Sequence, residues 1–422
     1  MIQSQRNDFK FAEAGYLYDK IKKVYHRHHT TNPVATSFFT SFIILAIIFL
    51  ILGIFSCGNS IQYMLFHNRQ DYFMDFFNSA YYSKDSPYTF WHVIYPPLIT
   101  IFYGIIGRYL GSMYSGSVEY RDSPEGLIIY AIITTIVLLV IEVTTIYLLK
   151  NKSTLIKIAT AICILLSYPV LFAIDRGNSI IISIAFVLIF LCLYNSENKL
   201  LRCASYISLG CAAGIKIYPA FFAIILLREK RILDFAICAV IVIALLLVPF
   251  IWTDGNLAIL MDTILSYSSE TSKQRGAINI AGYVDYISLS DSLKTTLSMA
   301  LSIAAYLISL LTVIFNKNLK TWEVYAIISS TIIIGPGVSA EYLFLYLVPP
   351  LVAFLQSETK YSYINCIGII TFVMVMSLMP GSEEYYYILP TIKGIFVFVL
   401  YFTLIGHGLK GMKQKSTSQA SK

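Results

Sequence analysis

CGNSIQYMLFHNRQDYFMDFFNSAYYSKDSPYTFWHVIYPPL, residues 57–98, is a polar and aromatic interruption in a first half that, beyond its amino end, is almost continuous apolar sequence. It follows the apolar run Ala35 to Cys57 and leads into another at about 93–112. Each run approaches the ~20 residues needed to cross hydrocarbon. The interruption therefore reads as a loop held at a membrane surface by the spans on either side. If it is helical, Asp71 and Asp75 stand four apart on one face, with aromatic residues between them.

Composition agrees with the reading drawn from that stretch. Of the 422 residues 57% are hydrophobic and only 13% charged, and mean hydropathy is +0.69. A water-soluble globule has no core large enough to hide so much apolar surface, so the chain reads as an all-α polytopic integral membrane protein. The net charge of +7 sits in short connectors and tails, where the positive-inside rule accounts for it; no nucleic-acid motif is present and no nucleic-acid partner is expected. The seven cysteines lie in or beside apolar runs without metal-ligand spacing and read as small core residues.

Further apolar segments fall at about 127–149, 157–174, 179–194, 203–227, 232–251, 292–315, 323–335, 341–355, 362–379 and 388–408. The expected architecture is a bundle of about ten to twelve transmembrane helices. Its units are a cytoplasmic segment 1–34, a single membrane domain 35–408 with outer loops at about 58–92 and 252–290, and a basic cytoplasmic tail 409–422. Both termini are thereby cytoplasmic. Two features stand out: the stretch from residue 92 to Lys150 needs an odd number of crossings yet offers two segments, so one of them fails to cross. Segment 203–227 lies between two basic connectors and contains Gly210, Gly214 and Pro219, so it reads as two half-helices meeting near Lys216. The trio His26, His28 and His29, beside Lys and Arg, reads as a headgroup-facing collar.

Ionisable residues left inside apolar sequence are costly and mark candidate sites. Arg176, Lys216 and the pair Asp71 and Asp75 all fall on the predicted outer face. Arg176 and Lys216 lie opposite the basic connectors, against the positive-inside trend. Two carboxylates and two cations suit transfer from a phosphate leaving group: a carboxylate takes the acceptor's proton and the cations stabilise the departing anion. Tyr95-Pro96-Pro97 serves equally as a helix start. Loop 252–290 is long enough to fold over the site. Glu383, Glu384 and Tyr385 to Tyr387 read as an interfacial aromatic belt.

The order of these elements resembles a known family. An Asp-bearing first loop, Tyr95-Pro96-Pro97-Leu98, Arg176-Gly177-Asn178 and Lys216-Ile217-Tyr218-Pro219 follow one another as in the membrane glycosyltransferases of the GT-C fold, in particular glycosyltransferase family 87, which includes polyprenyl-phosphate-mannose-dependent mannosyltransferases. The likeness covers about residues 35–355. Arg176-Gly177-Asn178 is a shortened form of the family's R-G-Q-x-N element, and Lys216 to Pro219 matches K-x-x-P. The resemblance implies an inverting transferase that takes a hexose from a polyprenyl-phosphate donor to a glycan or lipid-linked acceptor on the non-cytoplasmic face. It implies Asp75, with Asp71 as rival, as the base; Arg176 and Lys216 at the donor phosphate; and Asn78, Tyr95, Asn178, Tyr218, Glu341 and Tyr342 around the substrates. Where the family carries P-x-S-W-x-H this chain has Pro336 to Tyr342, with Glu341 at the place of the histidine. No metal and no cofactor beyond the lipid donor is expected, and the setting implied is a bacterial inner membrane. An O-antigen or exopolysaccharide polymerase and a lipid-linked sugar flippase are the other classes that such a chain could serve; an acidic first loop without internal inverted repeats favours transfer.

Overall fold

The structure is a computed structural model that describes residues 32–65, 69–271, 278–335, 340–379 and 388–420. The His26, His28 and His29 trio, residues 336–339 and the Glu383 to Tyr387 cluster lie outside the described residues. In chain order the α-helices are α1 Pro33–Phe55, α2 Asn59–Met64, α3 Met74–Ser83, α4 Pro97–Gly111, α5 Ser117–Asp122, α6 Pro124–Leu148, α7 Thr154–Leu165, α8 Tyr168–Arg176, α9 Ile180–Leu193, α10 Lys199–Ile215, α11 Ile224–Arg228, α12 Ile232–Leu247, α13 Leu257–Thr271, α14 Ile280–Asp285, α15 Asp291–Phe315, α16 Thr321–Ile334, α17 Val348–Ser357, α18 Tyr363–Met376 and α19 Ile388–Ala420. Short 3₁₀ turns at Tyr218–Ala223 and Glu341–Leu347 join α10 to α11 and lead into α17. The described chain contains no strand.

Burial sorts these helices into a centre and a rim. Every residue of α16 from Trp322 to Ile334 is buried, as a helix apolar all round requires, and it packs with α9, α10, α17 and the turn Glu341–Leu347 in one core. The rim helices α1, α6, α12 and α15 instead expose large apolar side chains, among them Ile44, Leu139, Ile243 and Leu307. Apolar surface on that scale needs lipid to cover it, so the protein is an integral membrane protein.

Five helices are long and apolar enough to cross a membrane unbroken, and a sixth crossing is available if α7 and α8, bent by 42°, act together. That bend follows from Pro169, which lacks an N–H and disfavours helix at the residue before it. The ten to twelve spans expected from sequence resolve into these and six shorter apolar helices of 10–17 residues. The parity problem has its counterpart in α4: its 15 residues reach only ~22 Å, short of the ~30 Å of hydrocarbon, while α6 is long enough alone.

Two sequence expectations change. Asp71 and Asp75 do not share a helix: Asp71 closes the turn Arg69–Asp71, Phe73 takes a left-handed φ of 56°, and α3 begins only at Met74. The 203–227 segment does break at Lys216, where the backbone becomes extended, but α10 runs straight through Gly210 and Gly214. Those glycines make room for neighbours instead: a Cβ on Gly210 would meet Leu245, and one on Gly214 would meet Leu98. Small residues let membrane helices approach closely without breaking them.

Candidate active site

The site forms where the end of α8 meets the start of α3. Helix α8 ends in a Schellman arrangement: the Gly177 N–H donates to the Ile174 carbonyl and the Asn178 N–H to the Ala173 carbonyl, both at 3.0 Å, with Gly177 left-handed at φ 68°. The Phe73 N–H donates to the Asp175 carbonyl at 2.8 Å, so the two helix ends are joined through the backbone. Tyr130 adds a hydroxyl bond to the Ile174 carbonyl at 2.6 Å, and its ring packs on Phe73 and Phe76.

This junction sets the charges. One terminal nitrogen of Arg176 lies 2.8 Å from Asp75 Oδ1 and the other 3.1 Å from Asp71 Oδ2. Asn178 Nδ2 donates to the second Asp75 oxygen at 2.8 Å, while its own Oδ1 accepts from the Ile180 N–H. Asn178 is buried; the side chains of Arg176 and Asp75 are each 20% exposed and that of Asp71 is 47% exposed. Asp75 is thus held at both oxygens and still open to solvent. Each carboxylate oxygen carries a second lone pair, so a hydroxyl proton can be accepted without breaking either bond.

Lys216 comes to the same place from α10. Its Nζ sits 4.2 Å from the Tyr95 ring centroid and 5.8 Å from that of Tyr342. Asp75 is the charge it feels. Among the described residues no carboxylate comes within ion-pair distance of it, and aromatic faces, worth about 0.5–2 kcal/mol, are its recorded contacts. Tyr95 precedes Pro96 and Pro97, which start α4 as the sequence allows. Tyr218 meets Tyr346 edge to face at 5.5 Å, and Tyr346 bonds Ser183 at 2.9 Å.

The remaining candidates divide. Asn78 stands one turn beyond Asp75 on α3, half-buried. Tyr342 stacks on Phe172 at 6.3 Å and is the second ring, after Tyr95, beside Lys216. Glu341 is buried and belongs to a different group: its charge acts on Lys393, a fully buried residue of α19 whose Nζ donates to the Val375 and Ser377 carbonyls and lies 4.1 Å from the Tyr168 ring. The sequence reading passed over Lys393, although it is a lone cation in an apolar run like Lys216.

Described parts of loop 252–290 come to the site at Tyr95. Tyr267 of α13 is an electrostatic neighbour of Tyr95. Asp254 accepts the N–H groups of Tyr88 at 3.1 Å and Thr89 at 3.0 Å, and Tyr88, wholly buried, donates its hydroxyl to the Tyr95 carbonyl at 2.8 Å. Burial alone would raise the Asp254 carboxyl, but the Thr89 hydroxyl and these amides together hold it below the usual carboxylate range. Among the described residues no three His, Cys, Asp or Glu side chains gather as a metal site, and Arg176 fills the gap between Asp71 and Asp75.

A membrane bundle, helical throughout its described elements, that presents a braced carboxylate beside two cations holds the groups that acyl, glycosyl or phosphoryl transfer draws on. The family model for glycosyltransferase family 87 matches residues 91–334, more than half of the chain, and the chain belongs to that family. The protein is accordingly a membrane glycosyltransferase, acting with glycan or lipid substrates at a bilayer. The matched range takes in Tyr95, Arg176, Asn178, Lys216 and Tyr218, whereas Asp71 and Asp75 lie upstream of it. No curated protein matches the chain.

Proposed function

We propose that the protein transfers a hexose, mannose being the first candidate, from a polyprenyl-phosphate donor to a glycan or glycolipid acceptor by single inverting displacement, on a bundle of the GT-C type. The donor's isoprenoid tail lies among the helices and its phosphate meets Lys216. Asp75 accepts the proton of an acceptor hydroxyl, that oxygen bonds to the anomeric carbon, and the carbon–oxygen bond to phosphate breaks with the electron pair leaving on the polyprenyl phosphate. Arg176 has five N–H donors and spends one on each carboxylate, so it can orient Asp75 and still donate to the departing phosphate. Asp71 completes the clamp on Arg176. Both termini lie on the cytoplasmic side and the chemistry on the other, in a bacterial inner membrane. No metal or further cofactor is required by this scheme.

The single observation that carries the reading is the half-buried Lys216 ammonium, backed by aromatic rings and facing the Asp75–Arg176 clamp without an ion pair of its own among the described residues. Such a cation is neutralised when an anion arrives. The test is Asp75→Asn, assayed for sugar transfer in proteoliposomes. The expected loss is at least ~100-fold, the scale of general-base catalysis; a rate within a few fold of the parent removes Asp75 as the base.

A further inference from the structure

Helix α3 carries more than the carboxylate. Asp75, Asn78 and Tyr82 fall at i, i+3 and i+7, one stripe of the helix. With Tyr81 they are its half-buried residues, while Phe76, Phe77, Ser79, Ala80 and Ser83 face the core. Along that stripe Tyr82 stands ~10 Å beyond Asp75. Its ring stacks on Trp91 at 4.6 Å and 25°, with the edges of Tyr81 and the 68%-exposed Phe90 against the same indole. The segment bearing Trp91 is bracketed by Ser86 and His92, two non-glycine residues with φ of 48° and 49°, a conformation kept only where the surroundings enforce it. Asp254 and Tyr88 enforce it here, and Tyr88 ties the segment to Tyr95 beneath Lys216.

We infer that the Tyr82–Trp91 stack is the acceptor platform, on which the pyranose unit next to the reacting sugar lies flat while its hydroxyl-bearing neighbour reaches Asp75. This rests on the transferase reading above. A pyranose ring has one face of polarised C–H groups that packs on aromatic rings and a rim of hydroxyls that needs polar partners. Lys84, whose ammonium lies 5.0 Å from the Tyr81 ring, and the exposed Asp85, Ser86 and His92, chain neighbours of the two rings, offer that rim, and Asn78 lies between Asp75 and Tyr82 along the helix. About 10 Å spans roughly one disaccharide, so the acceptor recognised is an oligosaccharide or glycolipid of at least two sugars. A belt of aromatics in the headgroup region would have no need of the stripe that leads back to Asp75.

The experiment uses full-length protein in nanodiscs and saturation-transfer NMR with maltopentaose, mannopentaose and cellopentaose as probes. Irradiating the aromatic protons is expected to saturate the ring protons of at least one probe, with the transfer cut at least fivefold in Trp91→Ala and Tyr82→Ala and kept in Trp91→Phe. The same binding is expected in Asp75→Asn, because it needs no turnover; failure of the base assignment would show as retained activity in that variant, and failure of the platform as absent saturation. In a Trp252→Phe background, where Trp91 and the wholly buried Trp322 are the remaining tryptophans, strong quenching by chain-brominated lipid of the emission that Trp91→Phe removes would make the stack a membrane anchor and overturn the inference. So would the lack of transfer to all three probes.

Discussion

Gly177 does two things no other residue can do at once. Its φ of 68° ends α8, and its missing side chain lets Phe73 approach: a Cβ there would lie 2.9 Å from the Phe73 carbonyl oxygen and 2.9 Å from the Phe76 Cβ. Gly177→Ala is expected to cost about 1–3 kcal/mol, visible as a lower melting temperature in detergent. Activity should fall further than stability does, because the substitution moves Phe73 and hence Asp75 away from Arg176. A variant that melts normally and works normally would show that the junction tolerates slack. At this scale the sequence was generous with identities and silent on partners. Arg176 and Lys216 are conspicuous because charge is costly in apolar sequence. That Arg176 grips both carboxylates, or that Asn178 braces Asp75, follows from a helix end that no local pattern encodes.

Between elements, the site depends on how closely α3 and α4 lie. The two helices touch backbone to backbone through Gly104 and Gly107; a Cβ on Gly107 would fall 1.9 Å from the Ala80 carbonyl oxygen and one on Gly104 2.6 Å from that of Ser83. Gly107→Ala must therefore push α3 off α4. The expected cost is about 1–3 kcal/mol, the range for overpacking, with kcat reduced at least severalfold, since Asp75, Asn78 and Tyr82 ride on α3 while Tyr95 stays with α4. Thermal melting and turnover measured on the same preparation check both halves. The break at Lys216 was legible from Pro219 and from a charge in an apolar run. The work of Gly210 and Gly214 was not: glycine in a membrane helix signals either a break or a close neighbour, and only tertiary contact decides which. The four-residue spacing of Asp71 and Asp75 misled for a related reason, because the left-handed turn at Phe73 replaces a helix that the spacing alone permits.

For the whole molecule, hydropathy was enough to give a helical membrane bundle and parity enough to show that one of the two segments between residue 92 and Lys150 fails to cross; that the shorter is α4, with 15 residues, is read from the structure. What hydropathy misjudged is the central helices: α9 and α16 have only 14 residues each and are buried by protein, so their apolar character reports the core as much as the bilayer. The proposed chemistry has a consequence at this scale. Polyprenyl phosphate without sugar should bind the folded state only, and at a hundredfold excess over its dissociation constant should stabilise it by ~2.7 kcal/mol, read as a rise in melting temperature in nanodiscs. Lys216→Met is expected to remove most of that rise while leaving the ligand-free melting temperature close to the parent's. An equal rise in both proteins would move the phosphate elsewhere.

The bond from the Phe73 amide to the Asp175 carbonyl lies beside the grip of Arg176 on Asp75, so the acidic corner and the cationic corner travel as one rigid block. The proposed lipid donor is not expected to enter by prising them apart. Its way in has to lie elsewhere, and the Tyr95 and Tyr342 rings beside Lys216 are the site residues that stand outside that block.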